Sequence, residues 1–443
     1  MSRSFCLISL GCAKNYVDSE EIAGSLIRRG YTIGPAPDKS RVAIINTCAF
    51  LHIARQEALE TIRKIVQIKK DSGTKLEIII LTGCLTNYYS KAVLTKIVPE
   101  IDLIVQFKDA PLIPLYLQNK LFPQINNTYN TQNNTFMWGD RFIIGPPHSV
   151  YVKIAEGCNN RCSYCLIPFL RGKLRSKSIG DIVSEVKAYR KLGAKEINII
   201  AQDTTAYGKD RYGRYMLVPL LREISRIKGL RWIRLLYAQP SRVTDELIEL
   251  IAGEEKICKY LDIPIQHIDK KILRMMGRPT RPEKIMQLYE RIRGKIPSAV
   301  LRTTVMVGYP GEGEKEFYGL LNFLEQYPFE RLGTFCFSPE RRSSAYYQGP
   351  KVPPQVARLR KQEIMVKQKD LSRSFNRKLL GKNIEVLIDS RWQEKNMSFG
   401  RYYGQAPEVD GKVILPKSMG KPGDIVRVKV TGIGDYDLLG SEA

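Results

Sequence analysis

Short apolar runs alternating with helical segments, twice over, constrain this chain more than any other feature. In the first hundred residues Phe5–Leu10, Val42–Asn46 and Glu77–Thr82 are rich in Ile, Leu and Val, as strands buried on both faces of a parallel sheet require. Helical segments lie between them: Asp18 to Arg29, with Gly30 as its stop, and Phe50 to about Lys70. Asp102–Gln106 suits a fourth strand. This series predicts an α/β fold with a doubly wound parallel sheet. From Tyr151 the alternation resumes and lasts longer. Strand candidates are Tyr151–Ala155, Glu196–Ala201, Trp232–Tyr237, Tyr260–Pro264, Ala299–Val307 and Leu332–Phe337. Helices such as Ile179–Leu192 after Ser178, and Asp245–Ile251 after Thr244, separate them. About six βα units imply a barrel or partial barrel. An open doubly wound sheet is the competing topology, and periodicity does not separate the two.

Residues 123–149 break the pattern. Gln124 to Thr135 is polar and of low complexity, Pro146-Pro147 follows, and the stretch reads as a linker. After a basic helical stretch from about Pro354 to Leu380, short strands with Gly and Pro turns suggest a small β-barrel: Asn383–Ile388, Lys412–Leu415 and Ile425–Thr431. The expected division is 1–122, a linker at 123–149, 150–380 and 381–443. No run of 18 apolar residues suits a membrane span, and the N-terminus lacks a secretory cleavage site. A cytosolic protein is the plain reading. The net charge of +25 is uneven. Residues 1–150 hold 17 Lys and Arg against 12 Asp and Glu, and residues 381–443 hold nine of each, so +20 falls on 151–380. A basic middle suits work near nucleic acid or a ribonucleoprotein; a solvated, lysine-biased surface is the plainer alternative.

Nine cysteines, an odd number in a cytosolic chain, point away from disulfides and towards metal or catalysis for any cluster. Cys158-Asn-Asn-Arg-Cys162-Ser-Tyr-Cys165 puts three thiols on one loop at the end of the first barrel strand, where such barrels build their sites. Three soft ligands can each hold one iron of a cubane and leave the fourth open. Zinc would need a fourth ligand, but the nearest histidine is His148 and the next cysteine is Cys258. Cys12, Cys48 and Cys84 each lie just past the carboxyl end of an expected strand, the edge where doubly wound sheets bind ligands. Three small buried residues in repeated βα turns is an equal alternative. Cys6, Cys258 and Cys336 read as core, and His52 as a helix-surface or packing residue.

The three-then-two spacing, with an aromatic before the last cysteine, resembles the radical S-adenosylmethionine superfamily. That resemblance implies an open iron that chelates the amine and carboxylate of the cofactor's methionine, with Tyr164 beside the adenine. Reduction then cleaves the sulfonium to a 5′-deoxyadenosyl radical. Over nearly its full length the chain looks like the methylthiotransferase family: an N-terminal domain with three separated cysteines, a radical domain and a small β-barrel of the TRAM type. The likeness is carried by Lys153-Ile-Ala-Glu-Gly-Cys158, Ile167-Pro-Phe-Leu-Arg-Gly172, Ala201-Gln-Asp-Thr204 with Tyr207-Gly208, Tyr260-Leu-Asp-Ile-Pro-Ile-Gln-His267, Arg302-Thr-Thr304, Val307-Gly-Tyr-Pro-Gly-Glu312 and Ala406-Pro-Glu-Val-Asp-Gly411. Ser338-Pro-Glu-Arg-Arg-Ser343 departs from the family's acidic or Gly residues ahead of a Thr.

The resemblance implies two 4Fe-4S clusters, the second on Cys12, Cys48 and Cys84 and bearing the sulfur that is inserted. One S-adenosylmethionine would methylate that sulfur; a second would be cleaved to abstract hydrogen from the β-carbon of a target aspartate. Gln202, Asp203, Gln266, His267 and Arg302, in or at the ends of strands, suit the methionine and ribose of the cofactor, with ordinary capping as the equal alternative. Gly308-Tyr-Pro-Gly311 lets backbone approach a ligand, or is a tight turn. Within the family the chain is most similar to the type that modifies ribosomal protein twelve of the small subunit. A tRNA adenosine methylthiotransferase is the nearest rival, and a non-catalytic RNA-binding metal scaffold the reading of another class. A barrel that grips tRNA should be basic, whereas 381–443 is balanced, which favours a basic protein target. Asp435, Asp437, Glu408 and Asp410 are candidate acidic contacts. Nearby ribosomal RNA would suit the basic middle, and a reductant such as flavodoxin or ferredoxin is a further implied partner.

Overall fold

The computed structural model describes residues 3–121, 141–418 and 420–442. They form two compact units, one running to Ile144 and including Leu166–Lys173, the other comprising Gly145–Cys165 and the chain from Leu174 onward.

In the first unit, β1 (Ser4–Ser9), β2 (Thr32–Ile33), β3 (Val42–Thr47), β4 (Ile78–Gly83) and β5 (Leu103–Ile104) form a parallel sheet of order β2-β1-β3-β4-β5. The unbroken apolar runs of β3 and β4 are buried throughout because helices cover both faces of the sheet. The strand expected at Asp102–Gln106 shrinks to two residues. The first helix, Ala13–Ile27, starts before the expected Asp18, with Cys12 as its N-cap. Asp18 does not cap; its carboxylate is spent on Arg171, 2.7 Å away. Gly30 does end the segment, with φ at +78° and its N–H bonded to Ile27. Of the stretch expected to be a linker, 123–140 lies outside the described residues. Arg141 and Ile144 are fastened to the carboxylate of Glu20 at 2.6 and 2.7 Å.

The second unit opens with β6 (Ser149–Lys153) and a short antiparallel pair, β7 (Ala155–Glu156) and β8 (Arg175–Ser176). Then come β9 (Glu196–Ile200), β10 (Trp232–Leu235), β11 (Ile257–Asp262), β12 (Val300–Val307) and β13 (Arg331–Cys336). The parallel sheet runs β6-β9-β10-β11-β12-β13. Each strand lies beside its predecessor and the order never reverses, so there is no doubly wound switch point. The sheet is the open arc of a partial βα barrel. Ser178 and Thr244 cap their helices as expected, accepting from Asp181 and Leu247. The long basic helix spans Pro354–Arg377.

A closed antiparallel-rich barrel follows: β14 (Asn383–Trp392), β15 (Met397–Arg401), β16 (Val413–Pro416), β17 (Ile425–Ile433) and β18 (Leu438–Glu442), in the order β14-β15-β16-β18-β17. The strands β15 and β18 were not expected from sequence because Gly and Ser dilute their apolar pattern. Gly400 is nonetheless required in β15: a Cβ there would stand 2.4 Å from the Leu387 carbonyl.

This barrel is joined to the sheet by buried charge. Glu196, at the start of β9, accepts from Arg234 Nε at 2.9 Å and from Arg401 Nη2 at 2.8 Å, and Arg401 also grips Asp389. Burial works against ionisation of Glu196, but Arg401 and Arg234 outweigh it and hold its carboxyl down at about 2. Nearby, Tyr260 donates to Asp410 Oδ2 at 2.7 Å.

Candidate functional site

The three-thiol loop leaves β7 through Gly157, whose φ of +75° is open to glycine at little cost. Hydrogen bonds pin the loop along its length. Asn159 accepts from the Leu174 amide at 3.0 Å. Asn160 donates to Asp203 at 2.7 Å and accepts from Arg242 at 2.8 Å, while Arg242 also bonds Asp203 at 2.5 Å. Ser163 bonds Met276 through its amide and Met275 through its hydroxyl. Gly277, at φ +66°, passes so close that a Cβ would stand 2.4 Å from the Arg161 carbonyl. Cys158, Cys162 and Cys165 are in no disulfide and half-buried. Burial pushes the Cys158 thiol up, and the guanidinium of Arg278 stands 3.9 Å from Cys162 Sγ.

Sequence reasoning put five polar residues at this site, and the structure treats them differently. Gln202 donates to Glu156 at 2.8 Å, and its own Oε1 is buried without a hydrogen-bond partner. Such an orphaned acceptor suits a donor such as an ammonium group. Asp203 is a brace for the loop, fully used by Asn160, Arg242 and Thr205. Gln266 is held at φ +71°, its amide and carbonyl bonded to Thr304 and Met306, a strained backbone of the kind that gathers at ligand sites. His267 is completely buried; its Nδ1 accepts from the Asp269 amide, and Nε2 faces Glu312 at 3.6 Å. Arg302 is not drawn to the cysteine loop either. It bonds Asp262 at 3.0 Å and lies 3.6 Å from Asp410. Asp410 is correspondingly not a surface contact, its side chain only 3% exposed. Asp437 takes the Lys412 amide, and Glu408 is the exposed member of that group. Tyr164 is half-buried beside Arg278 and Cys162. Asn160, Arg242 and Arg278 were missed: nothing local distinguishes them from ordinary surface polar residues.

In the first unit, register does what spacing alone could not. Ser9 pairs with Asn46 and Asn46 with Thr82, so Cys12, Cys48 and Cys84 leave the same edge of adjacent strands. β1 and β3 flank the point where this strand order reverses, the usual ligand crevice. Two glycines make the approach feasible. Gly11 (φ +102°) would place a Cβ 2.7 Å from Cys48 Cβ, and Gly83 (φ +96°) one 2.5 Å from the Thr47 carbonyl. Asn15 ties two of the turns together, donating to Leu10 at 2.8 Å and Thr47 at 3.0 Å. Arg171, from the segment just past the other cysteine loop, donates to Cys84 Sγ at 3.3 Å and stacks over Phe107. Burial raises the Cys48 thiol and pushes Cys84 up to about 12, with Arg171 pulling the other way.

No three His, Cys, Asp or Glu side chains among the described residues are gathered tightly enough for a single metal ion. In a cubane each thiolate takes a different iron, so the ligands need not converge on one ion. The donor chemistry, all thiol with no imidazole, fits iron–sulfur ligation as well. Gly11→Ala, which forces the Cys12 turn away from Cys48, is expected to cost about four irons per chain and leave about four on the other trio. Iron and sulfide analysis after anaerobic reconstitution checks this.

Comparison with known proteins adds three family matches: the Radical SAM superfamily over residues 152–324, Uncharacterized protein family UPF0004 over 4–106 and the TRAM domain over 380–442. Relatives called ribosomal protein uS12 methylthiotransferase RimO match almost end to end. That of Thermoanaerobacter sp. (strain X514) is 42% identical, covering 98% of both chains, and that of Geobacter sulfurreducens is 40% identical, covering 98% of this chain and 97% of its own. Among solved structures, the radical S-adenosylmethionine methyltransferase TsrM from Kitasatospora setae superposes with a TM-score of 0.55 at 15% identity, covering 75% of this chain and 73% of that one. The cobalamin-dependent S-adenosylmethionine radical enzyme OxsB gives 0.52 at 12%, covering 83% and 56%. These two likenesses show a shared fold.

Proposed function

This chain belongs to the radical S-adenosylmethionine methylthiotransferases of the RimO type, and on that premise we propose that it methylthiolates the β-carbon of an aspartate in ribosomal protein uS12. The observation that carries the reading is the presence of two separate thiol trios, each in its own frame: Cys158, Cys162 and Cys165 on a pinned loop, and Cys12, Cys48 and Cys84 on one sheet edge. The first trio would hold the 4Fe-4S cluster that binds and reductively cleaves S-adenosylmethionine, and the second a cluster that presents sulfur. When bound, these groups supply the one-electron chemistry needed to replace an unactivated C–H bond, which no side chain here could achieve.

The protein's own residues do the holding and shaping. Gly11 and Gly83 let three turns converge. Arg171 and Arg278 place positive charge beside Cys84 and Cys162, offsetting the cost of burying thiolates. Asp203, Asn160 and Arg242 keep the loop from relaxing, and Gln202 offers its unpaired oxygen to the cofactor's amine. Tyr164 and Gln266 are proposed cofactor contacts. His267 and Arg302 are better placed to act indirectly, through Glu312 and through Asp262 and Asp410. The domain division, 1–122, 150–380 and 381–443, follows the same reading.

No described helix is long and apolar enough to cross a membrane. A ribosomal target is consistent with work in the cytoplasm, and a small reductant such as flavodoxin or ferredoxin is the donor this reading calls for. Mass spectrometry of ribosomal protein and bulk tRNA from a deletion strain tests the substrate. The expected result is uS12 lacking its methylthio group with tRNA unchanged; unaltered uS12 would overturn the proposal.

A further inference from the structure

Beside the Cys158–Cys165 loop, which it meets at Arg278, the second unit contains a cleft of about 630 Å³ whose lining includes Lys270, Arg274, Arg278, Arg281, Lys284 and Arg291. No Asp or Glu and no aromatic ring is among its lining residues. Six cations facing one space repel one another unless something neutralises them, and the protein supplies little. Arg291 pairs with Asp245 at 2.7 Å, and Arg278 is used by the Pro264 carbonyl and Cys162. Lys284 reaches only the amide of Gln287. Lys270, Arg274 and Arg281 make no side-chain hydrogen bond or ion pair with any described residue. They are also exposed, so their charge is directed to solvent.

Spacing gives the cluster a direction. Lys270 and Arg274 lie one turn apart on the helix Lys270–Met275, and Lys284 and Arg291 lie two turns apart on the helix Pro282–Lys295. Residues so spaced share a face, so the cations form rows. A row of uncompensated cations suits a chain of regularly repeated anions. The absence of aromatic rings argues against a site that stacks bases or encloses a nucleotide, since sequence-tolerant base binding uses aromatic platforms. What is left is contact with phosphates, which positions a nucleic acid without reading its sequence.

We propose that this cleft binds the sugar–phosphate backbone of RNA and so docks the enzyme on the ribonucleoprotein surface around its target. The choice of RNA rests on the functional reading above; the polyanion chemistry stands without it. The cleft also explains how a neutral terminal barrel and a strongly basic middle serve one substrate. The basic protein target would be repelled here, whereas the RNA beside it is attracted.

The test is fluorescence anisotropy of a labelled single-stranded RNA oligonucleotide with the anaerobically reconstituted full-length protein, titrated at several salt concentrations. Binding should weaken steeply with salt. The triple variant Arg274→Gln, Arg281→Gln, Lys284→Gln should reduce the slope of log K against log salt by about 2 and the affinity by about 10-fold or more. Its iron content should be unchanged, because all three side chains are exposed. A wild-type slope near zero, or an unchanged slope in the variant, would overturn the proposal. So would a poly-glutamate peptide that binds as tightly as RNA with the same sensitivity, which would mark an acidic-protein site. Single Arg274→Glu repeats the measurement should the triple variant be poorly folded. Methylthiolation of isolated uS12 is read separately, so failure of RNA binding and failure of the functional reading give different results.

Discussion

Cys12→Ala should leave reductive cleavage of S-adenosylmethionine running and stop sulfur insertion, with methylthiolated product falling by about 1000-fold or more. The expected separation follows from the way the two trios are built. Cys158, Cys162 and Cys165 depend on Asn160, Asp203, Arg242 and Met276 for their geometry, and these belong to the second compact unit while Cys12 belongs to the first. Cys12 in turn is the N-cap of its own helix and makes no side-chain cap bond, so its loss removes a ligand without removing a helix cap. About 1000-fold corresponds to roughly 4 kcal/mol of lost transition-state stabilisation, reasonable where a cluster ligand is missing. The measurement is 5′-deoxyadenosine release alongside product mass spectrometry under reducing, anaerobic conditions. Retained thiolation would remove the role given to Cys12, Cys48 and Cys84; loss of both activities would show that the two trios depend on each other. Cys158→Ala is the converse and should abolish both.

The second large effect concerns stability. Glu196→Gln leaves Arg234 and Arg401 buried without their shared counter-charge. Breaking a buried pair on one side costs about 3–5 kcal/mol, and the loss should appear as an early transition in denaturant. Trp232 is the register partner of Glu196 and only 5% exposed, so its fluorescence reports on this region directly. The pH dependence has a definite sign. The carboxyl of Glu196 is held down at about 2 in the folded chain, below the usual range near 4.3. Its stabilisation is therefore complete above that range and is lost as pH falls towards 2, an effect of the order of 3 kcal/mol. In the variant this part of the acid-induced loss should be missing.

Much of this protein is legible in the linear sequence because the relevant physics is local. Strands buried on both faces must be apolar throughout, so β3 and β4 show themselves. Ser178 and Thr244 announce the helices they cap. Cys158, Cys162 and Cys165 sit within eight residues, so their convergence needs no fold at all. Local signals fail where a residue has a distant use for its side chain. Asp18 resembles a helix cap and is an ion-pair partner of Arg171; Asp410 resembles a surface acid and is a buried acceptor for Tyr260. The strands β15 and β18 escape notice because packing against neighbours demands Gly where an apolar residue would advertise them.

The sequence by itself determined one set of soft ligands, three thiols within eight residues on a βα unit, and through family resemblance pointed to the second. Tertiary structure alone decided which polar groups serve those ligands and which hold the domains. Arg171 reaches Cys84 across 87 residues, and Arg401 reaches Glu196 across 205. Contacts of that separation arise from strand register and the docking of the terminal barrel, which no local pattern of residues encodes.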